Sequence, residues 1–257
     1  MTILAAENLT VRRGGRAILD GVSARVEGGG LVAVIGANGA GKSTVLAVLA
    51  GLLKPDDGVV SLDGEPLARI EGRALARRRG FLPQSPRAEW PISVERLVML
   101  GLTPSLPAFG DLPAELKPSL DRAIADCDLE AHRDQPVTTL SGGELARAML
   151  ARALVGEPEI LIADEPMAGL DPRHALDSMT RLRGLALAGR MVIASVHDLT
   201  LAARFAGRII ALHQGCVVAD GSVRETLTPD LLRLIFAVEA QVRGEGQGAY
   251  VDFAAPA

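Results

Sequence analysis

The chain has 257 residues, 48% of them hydrophobic, enough for one large core or two unequal lobes, and its net charge of −4 argues against a protein built to hold nucleic acid. No run approaches the ~20 apolar residues of a membrane span, and MTILAAENLTVRRGG lacks the apolar core of a secretory signal, so any membrane role is expected to be peripheral. Cys127 and Cys216 lie far apart in apolar segments without metal-type spacing, which predicts reduced thiols in a cytosolic protein.

In chain order, residues 9–11, 17–26 and 59–62 read as antiparallel strands around Gly-Gly and Asp-Gly turns. Between them, residues 31–35 (LVAVI) form a short apolar, β-branched run that predicts a buried strand. Residues 44–53 place Val45, Leu46, Val48, Leu49 and Leu52 at helical spacing before Pro55. The intervening Gly36-Ala37-Asn38-Gly39-Ala40-Gly41-Lys42-Ser43-Thr44 matches G-x-x-x-x-G-K-[ST]. A strand, a glycine turn and a helix aim backbone N–H groups and the positive helix end at phosphate oxygens. Lys42 is expected to reach the β- and γ-phosphates and the Ser43 hydroxyl to sit on Mg²⁺, so the chain is expected to bind a nucleoside triphosphate.

Arg77-Arg78-Arg79, with Arg73 nearby, reads as the solvated end of a helix before a break at Gly80 rather than a nucleic-acid patch. From about Pro83 to Ala153 the pattern turns helical. Candidates cover residues 94–100 and 116–127, separated by the proline-rich TPSLPAFGDLP, and a further helix enters at Gly143 with Leu145, Met149, Leu150 and Leu154 on one side. After Pro158 the α/β rhythm returns. Strands are expected at 160–163 and 191–196, a helix at 172–187, a hairpin at 209–212 and 216–219, and an amphipathic helix at 231–238. The Gly-rich end is expected to add one edge strand or to fray. The expected class is α/β: a P-loop NTPase core with an N-terminal antiparallel β subdomain and an inserted α-helical subdomain. Residues 1–84 and 154–240 form the core, 85–153 the insert and 241–257 a tail.

Two further motifs carry chemistry. The apolar run Ile160-Leu161-Ile162-Ala163 ends in Asp164 and Glu165, and paired carboxylates at the mouth of a sheet need a partner. Mg²⁺ supplies one: Asp164 anchors the ion opposite Ser43, while Glu165, free of that job because strand residues alternate faces, points at the water attacking the γ-phosphate. Leu140-Ser141-Gly142-Gly143-Glu144 opens a helix with two glycines and a hydroxyl, a second anion site that one triphosphate does not require.

The order and spacing of GANGAGKST, FLPQ, LSGGE, ILIADEP, AGLD and SVHD resemble the ATP-binding subunit of an ABC transporter over nearly the whole chain. The resemblance implies a head-to-tail dimer with two ATP molecules between subunits, in which Ser141, Gly142 and Gly143 of one copy close over the γ-phosphate held by the Lys42 loop of the other. It further implies that Gln84 contacts Mg²⁺ or the lytic water, that Asp171 lies at the dimer seam, and that His197 holds the γ-phosphate and orients Glu165. It implies a transmembrane permease as partner, indirectly a substrate-binding protein, and a place on the cytoplasmic face of the membrane. His132, His174 and His213 fall outside the motifs and read as surface or packing residues.

Two positions depart from the family pattern. Arg13 stands where an aromatic residue usually stacks on adenine, and Leu145-Ala146-Arg147 follows the signature glycines where more polar residues are common. The runs WPISVERLVMLGLTP and SVHDLTLAARFAGRIIALHQGCVVADG resemble importers of iron chelates, haem or cobalamin, although Leu102 replaces a frequent Arg. Metal-ion importers and exporters of the same cassette type stay open, as do non-transport ABC proteins of translation or DNA repair. The last usually carry two cassettes, a long coiled coil or a basic extension, none of which is seen in this sequence.

Overall fold

The computed structural model describes residues 2–84, 90–107 and 112–254. It opens with β1 (Ile3–Arg13) and β2 (Arg16–Glu27), which pair antiparallel across the Gly14-Gly15 turn. β1 is far longer than the expected 9–11, because Leu4, Ala6, Leu9 and Val11 are all buried and register shifts near Asn8 keep them on one face. Next come β3 (Leu31–Gly36) and α1 (Lys42–Leu49), which stops four residues before the expected end, with Gly51 in a left-handed conformation. β4 (Asp57–Leu62) and β5 (Glu65–Pro66) complete an antiparallel sheet of order β2-β1-β4-β5.

α2 (Gly72–Arg78) runs straight into β6 (Arg79–Leu82), a strand the sequence reading took for a break. Gly80 lies within that strand because a Cβ there would sit 2.4 Å from the Ala153 carbonyl oxygen. The arginine cluster is not simply solvated either. Arg78 bridges Asp63 and Glu159, which pushes its own pKa up, and the Arg79 Nε is buried without a partner. α3 (Val94–Met99), α4 (Lys117–Asp126) and α5 (Gly142–Leu154) follow, then β7 (Ile160–Ala163), α6 (Pro172–Leu187), β8 (Met191–Ser195), α7 (Leu199–Phe205), β9 (Arg208–His213) and β10 (Cys216–Gly221). The chain ends with α8 (Val223–Thr226), α9 (Pro229–Phe236), β11 (Ala240–Arg243) and β12 (Tyr250–Phe253). Among the described residues β11 and β12 pair with each other and pack on α9 and α7, and they do not extend the main sheet.

The main sheet has order β10-β9-β3-β8-β7-β6, parallel except for β10. Its strands β3, β7 and β8 are buried and almost wholly apolar on both faces, as a sheet covered on both sides requires. Leu31, Ala33, Ile35, Leu161, Ala163, Val192 and Ala194 face a core shared with α3 to α7 and α9. Val32, Val34, Ile160, Ile162, Met191 and Ile193 face the other core, closed by α1 and the antiparallel sheet. Burial pushes the Cys127 thiol up to about 12, which keeps it protonated and inert. Among the described residues no helix is long and apolar enough to cross a membrane.

Candidate functional site

The glycine loop leaves β3 and enters α1 without any side chain capping the helix. Gly41, the residue before it, has φ +100°, and a Cβ there would meet Leu19 Cδ2 at 2.8 Å and the Ile18 carbonyl oxygen at 2.9 Å. The first-turn N–H groups of α1 therefore stay available to an anion, on the side where Asn38, Gly39 and Ser43 are exposed and Thr44 is half-buried. Gly36 and Ala40 are buried, and Ala40 accepts the Gly215 N–H at 3.2 Å, which ties the loop to the turn after β9. Lys42 is 5% exposed, and its ammonium donates to the Gly36 carbonyl at 2.9 Å. Desolvation holds its pKa below the usual lysine range, against the opposing pull of the Glu165 and Asp164 carboxylates.

The remaining polar groups gather where β6, β7 and β8 end. These strands are parallel and in register, with Leu82 beside Ala163 and Ala163 beside Ala194, so residues just past each end arrive at one level. Gln84, Glu165 and His197 are those residues. Glu165 Oε2 accepts from Gln84 Nε2 at 2.5 Å, and Oε1 lies 2.5 Å from His197 Nε2. An ionised carboxylate only accepts, so Nε2 of His197 carries the proton. The Glu165 side chain is 10% exposed and its φ is +46°, a left-handed value at which a non-glycine residue is strained. Two contacts thus hold the carboxylate and a third holds the residue's backbone, and each carboxylate oxygen keeps a lone pair for a further donor.

The third contact runs through a residue the sequence reading missed. Ser195 Oγ, fully buried, accepts the Glu165 N–H at 2.7 Å and donates to Asp164 Oδ1 at 2.7 Å. Its signal was a hydroxyl in the otherwise apolar run MVIASV, which a buried position tolerates only with partners. Ser195→Ala leaves both partners unsatisfied. It is expected to destabilise the fold by about 1–3 kcal/mol, read as a fall of several degrees in the unfolding midpoint; an unchanged midpoint would show the hydroxyl to be idle.

Ser141 is the N-cap of α5, in a capping box with Glu144: the Ser141 N–H donates to Glu144 Oε2 at 2.7 Å and the Glu144 N–H to Ser141 Oγ at 3.4 Å. That contact holds the Glu144 carboxyl below its ordinary range. Within one chain the capping box takes the Ser141 and Glu144 N–H groups, which leaves those of Gly142 and Gly143 at the start of the helix. Gly142 is exposed and Gly143 buried. α5 packs in the core on one face of the main sheet and α1 in the core on the other, so the structure does not bring Ser141 and the Lys42 loop into one packing unit. Asp171 is the N-cap of α6 and pairs with His174, which makes that histidine more than surface.

Arg13 ends β1 at the tip of the hairpin whose second strand touches Gly41. It is exposed, and no hydrogen bond to its side chain occurs among the described residues. No group of three or more His, Cys, Asp or Glu residues converges on a metal position among the described residues. The oxygens that the sequence reading assigned to Mg²⁺ are the Ser43 hydroxyl, the Asp164 carboxylate and the Gln84 amide oxygen, all of them hard ligands.

The sequence pattern of ABC transporters matches residues 19–168. The chain is 42% identical over 255 residues to the hemin import ATP-binding protein HmuV of Rhodopseudomonas palustris (strain BisB5), covering 96% of this chain and 95% of that protein. It is 39% identical to the hemin import ATP-binding protein HmuV of Bordetella avium, covering 93% and 94%. Among solved structures, a metal-chelate type ABC transporter in an inward-facing conformation superposes with TM-score 0.84 at 23% identity, over 99% of this chain and 97% of that one. A dimeric ATP-binding cassette bound to ADP and Pi superposes with TM-score 0.75 at 28% identity, over 86% and 99%.

Proposed function

The chain belongs to the ABC transporter family, and from that premise we propose that it is the ATP-hydrolysing subunit that powers a separate membrane permease importing haem or a related iron chelate. The observation that carries the hydrolytic part is Glu165, a strained and partly buried carboxylate pinned by Gln84 and His197 at the mouth of the sheet. In this reading the loop from Gly36 to Thr44 and the Lys42 ammonium hold the triphosphate. Glu165 takes the proton of the attacking water, and His197 and Gln84 keep it aimed. Ser43, Asp164 and Gln84 would hold Mg²⁺, which when bound neutralises charge on the β- and γ-phosphates. Ser195 fixes Asp164 and Glu165 relative to one another.

Two copies pair head to tail, so that Ser141 and Gly142 of one reach the nucleotide of the other. This supplies the convergence that a single chain lacks. Asp171 lies at the seam, and Arg13 offers a flat guanidinium to adenine in place of an aromatic ring. The protein docks on the cytoplasmic face of the membrane. Trp90 and Leu100, both exposed in the region after Gln84, suit a protein partner there. A substrate-binding protein completes the system on the far side. The relatives' haem specificity favours this cargo over the metal-ion import and export readings.

The test is reconstitution. Captured from membranes, the tagged chain is expected to bring a permease with it, and proteoliposomes holding the pair, supplied with the binding protein on the far side, are expected to take up haem only with ATP on the chain's side. Haem uptake indifferent to ATP would overturn the transport reading, and ATP-driven uptake of another solute would overturn the cargo.

A further inference from the structure

Gly143 and His174 stand in separate motifs, one a signature glycine and the other a histidine without an assigned role. A Cβ built on Gly143 would lie 2.5 Å from Cδ2 and 2.8 Å from Nε2 of His174. The imidazole edge therefore fills the place where any other residue would carry its side chain. At Gly142 nothing lies within 4 Å of that position. The two glycines have different reasons: Gly142 leaves an open face for a ligand, whereas Gly143 makes room for a ring from its own chain.

The ring is held from its other side as well. Nδ1 of His174 lies 2.8 Å from Asp171 Oδ2, and Asp171 Oδ1 accepts the His174 backbone N–H at 2.9 Å. The same two bonds hold the Asp171 carboxyl below the usual range. Asp171 is acceptor only, so Nδ1 carries the proton and the ring plane is set. One carboxylate thus fixes the imidazole, and the imidazole abuts the α5 N-terminus closely enough that neither segment shifts without the other.

We propose that His174 is a positioning residue that locks the Asp171 loop to the Ser141-Gly142-Gly143 turn within each subunit, so that both segments offered to the partner copy move as one body. The proposal rests on the reading that Ser141 and Gly142 act across the dimer. It assigns His174 no contact with nucleotide.

The experiment uses the full-length chain carrying Glu165→Gln and measures ATP binding and ATP-driven dimer formation by size-exclusion chromatography over a range of protein concentrations. Adding His174→Ala is expected to leave ATP binding unchanged while raising the concentration for half-dimerisation about five- to tenfold, the scale of one ordinary hydrogen bond. Gly143→Ala, which drives a methyl into the ring, is expected to weaken dimerisation further. Combining it with His174→Ala, which clears that space, is expected to restore dimerisation to the level of His174→Ala alone. A ring that served folding alone would leave the half-dimerisation concentration of His174→Ala at that of its parent. The proposal is overturned if His174→Ala dimerises like its parent or if the double variant is no better than Gly143→Ala. A parent that stays monomeric in ATP would instead overturn the dimer reading, and the proposal with it.

Discussion

Glu165→Gln is expected to bind ATP as the parent does and to hydrolyse it ~10²–10⁴-fold more slowly, the range lost when a general base is removed. The substitution keeps shape and removes the basic oxygen. Its amide nitrogen would face one of two donors, Gln84 Nε2 or His197 Nε2. Either neighbour can adapt, Gln84 by turning its amide and His197 by moving its proton to the other ring nitrogen, so the local geometry survives. The lost negative charge also relieves repulsion against the γ-phosphate, and the variant should accumulate as an ATP-bound dimer. Phosphate release and size-exclusion chromatography with ATP check both parts. Turnover within about threefold of the parent would exclude Glu165 as the base.

Mixing two inactive variants is expected to restore activity. Lys42→Ala removes the ammonium from the phosphate loop, and Ser141→Arg places a long cation where the partner's γ-phosphate should sit; each alone is expected to lose nearly all turnover. A heterodimer of the two holds one intact composite site, with Lys42 from one chain and Ser141 from the other, and one site damaged twice. Random pairing of equal amounts makes half the dimers mixed, so about a quarter of parental activity should return if the sites act independently. Assaying phosphate release from the separate and mixed proteins gives the answer. Recovery requires action across the dimer, because no single chain in the mixture carries both groups. A mixture no more active than its parts would count against independent composite sites.

The groups proposed to hold the triphosphate were legible as short contiguous motifs, and for a definite reason. In GANGAGKST the residue types dictate the backbone: glycines admit the left-handed values seen at Gly39 and Gly41, and the apolar runs on either side dictate strand and helix. The same holds for Asp164 and Glu165, two charges that end a fully buried strand. β6 escaped notice because Arg79-Gly80-Phe81-Leu82 has no strand pattern of its own. It is a strand because it pairs with β7 and because Gly80 admits the backbone of α5.

The sequence by itself determined the α/β class, the glycine loop and the paired carboxylates Asp164 and Glu165, since each depends on neighbours within a few residues, whereas Gln84 and His197 were legible only through the resemblance of the whole motif set. Only the tertiary structure decided how those groups meet. Gln84 and His197 reach Glu165 from 81 and 32 positions away because three parallel strands lie in register. Ser195 joins Asp164 to the Glu165 backbone across the same sheet, and His174 fills the space beside Gly143 from another helix. Contacts of this kind are fixed by sheet register and helix packing, to which every residue of the core contributes. No short stretch of chain encodes them.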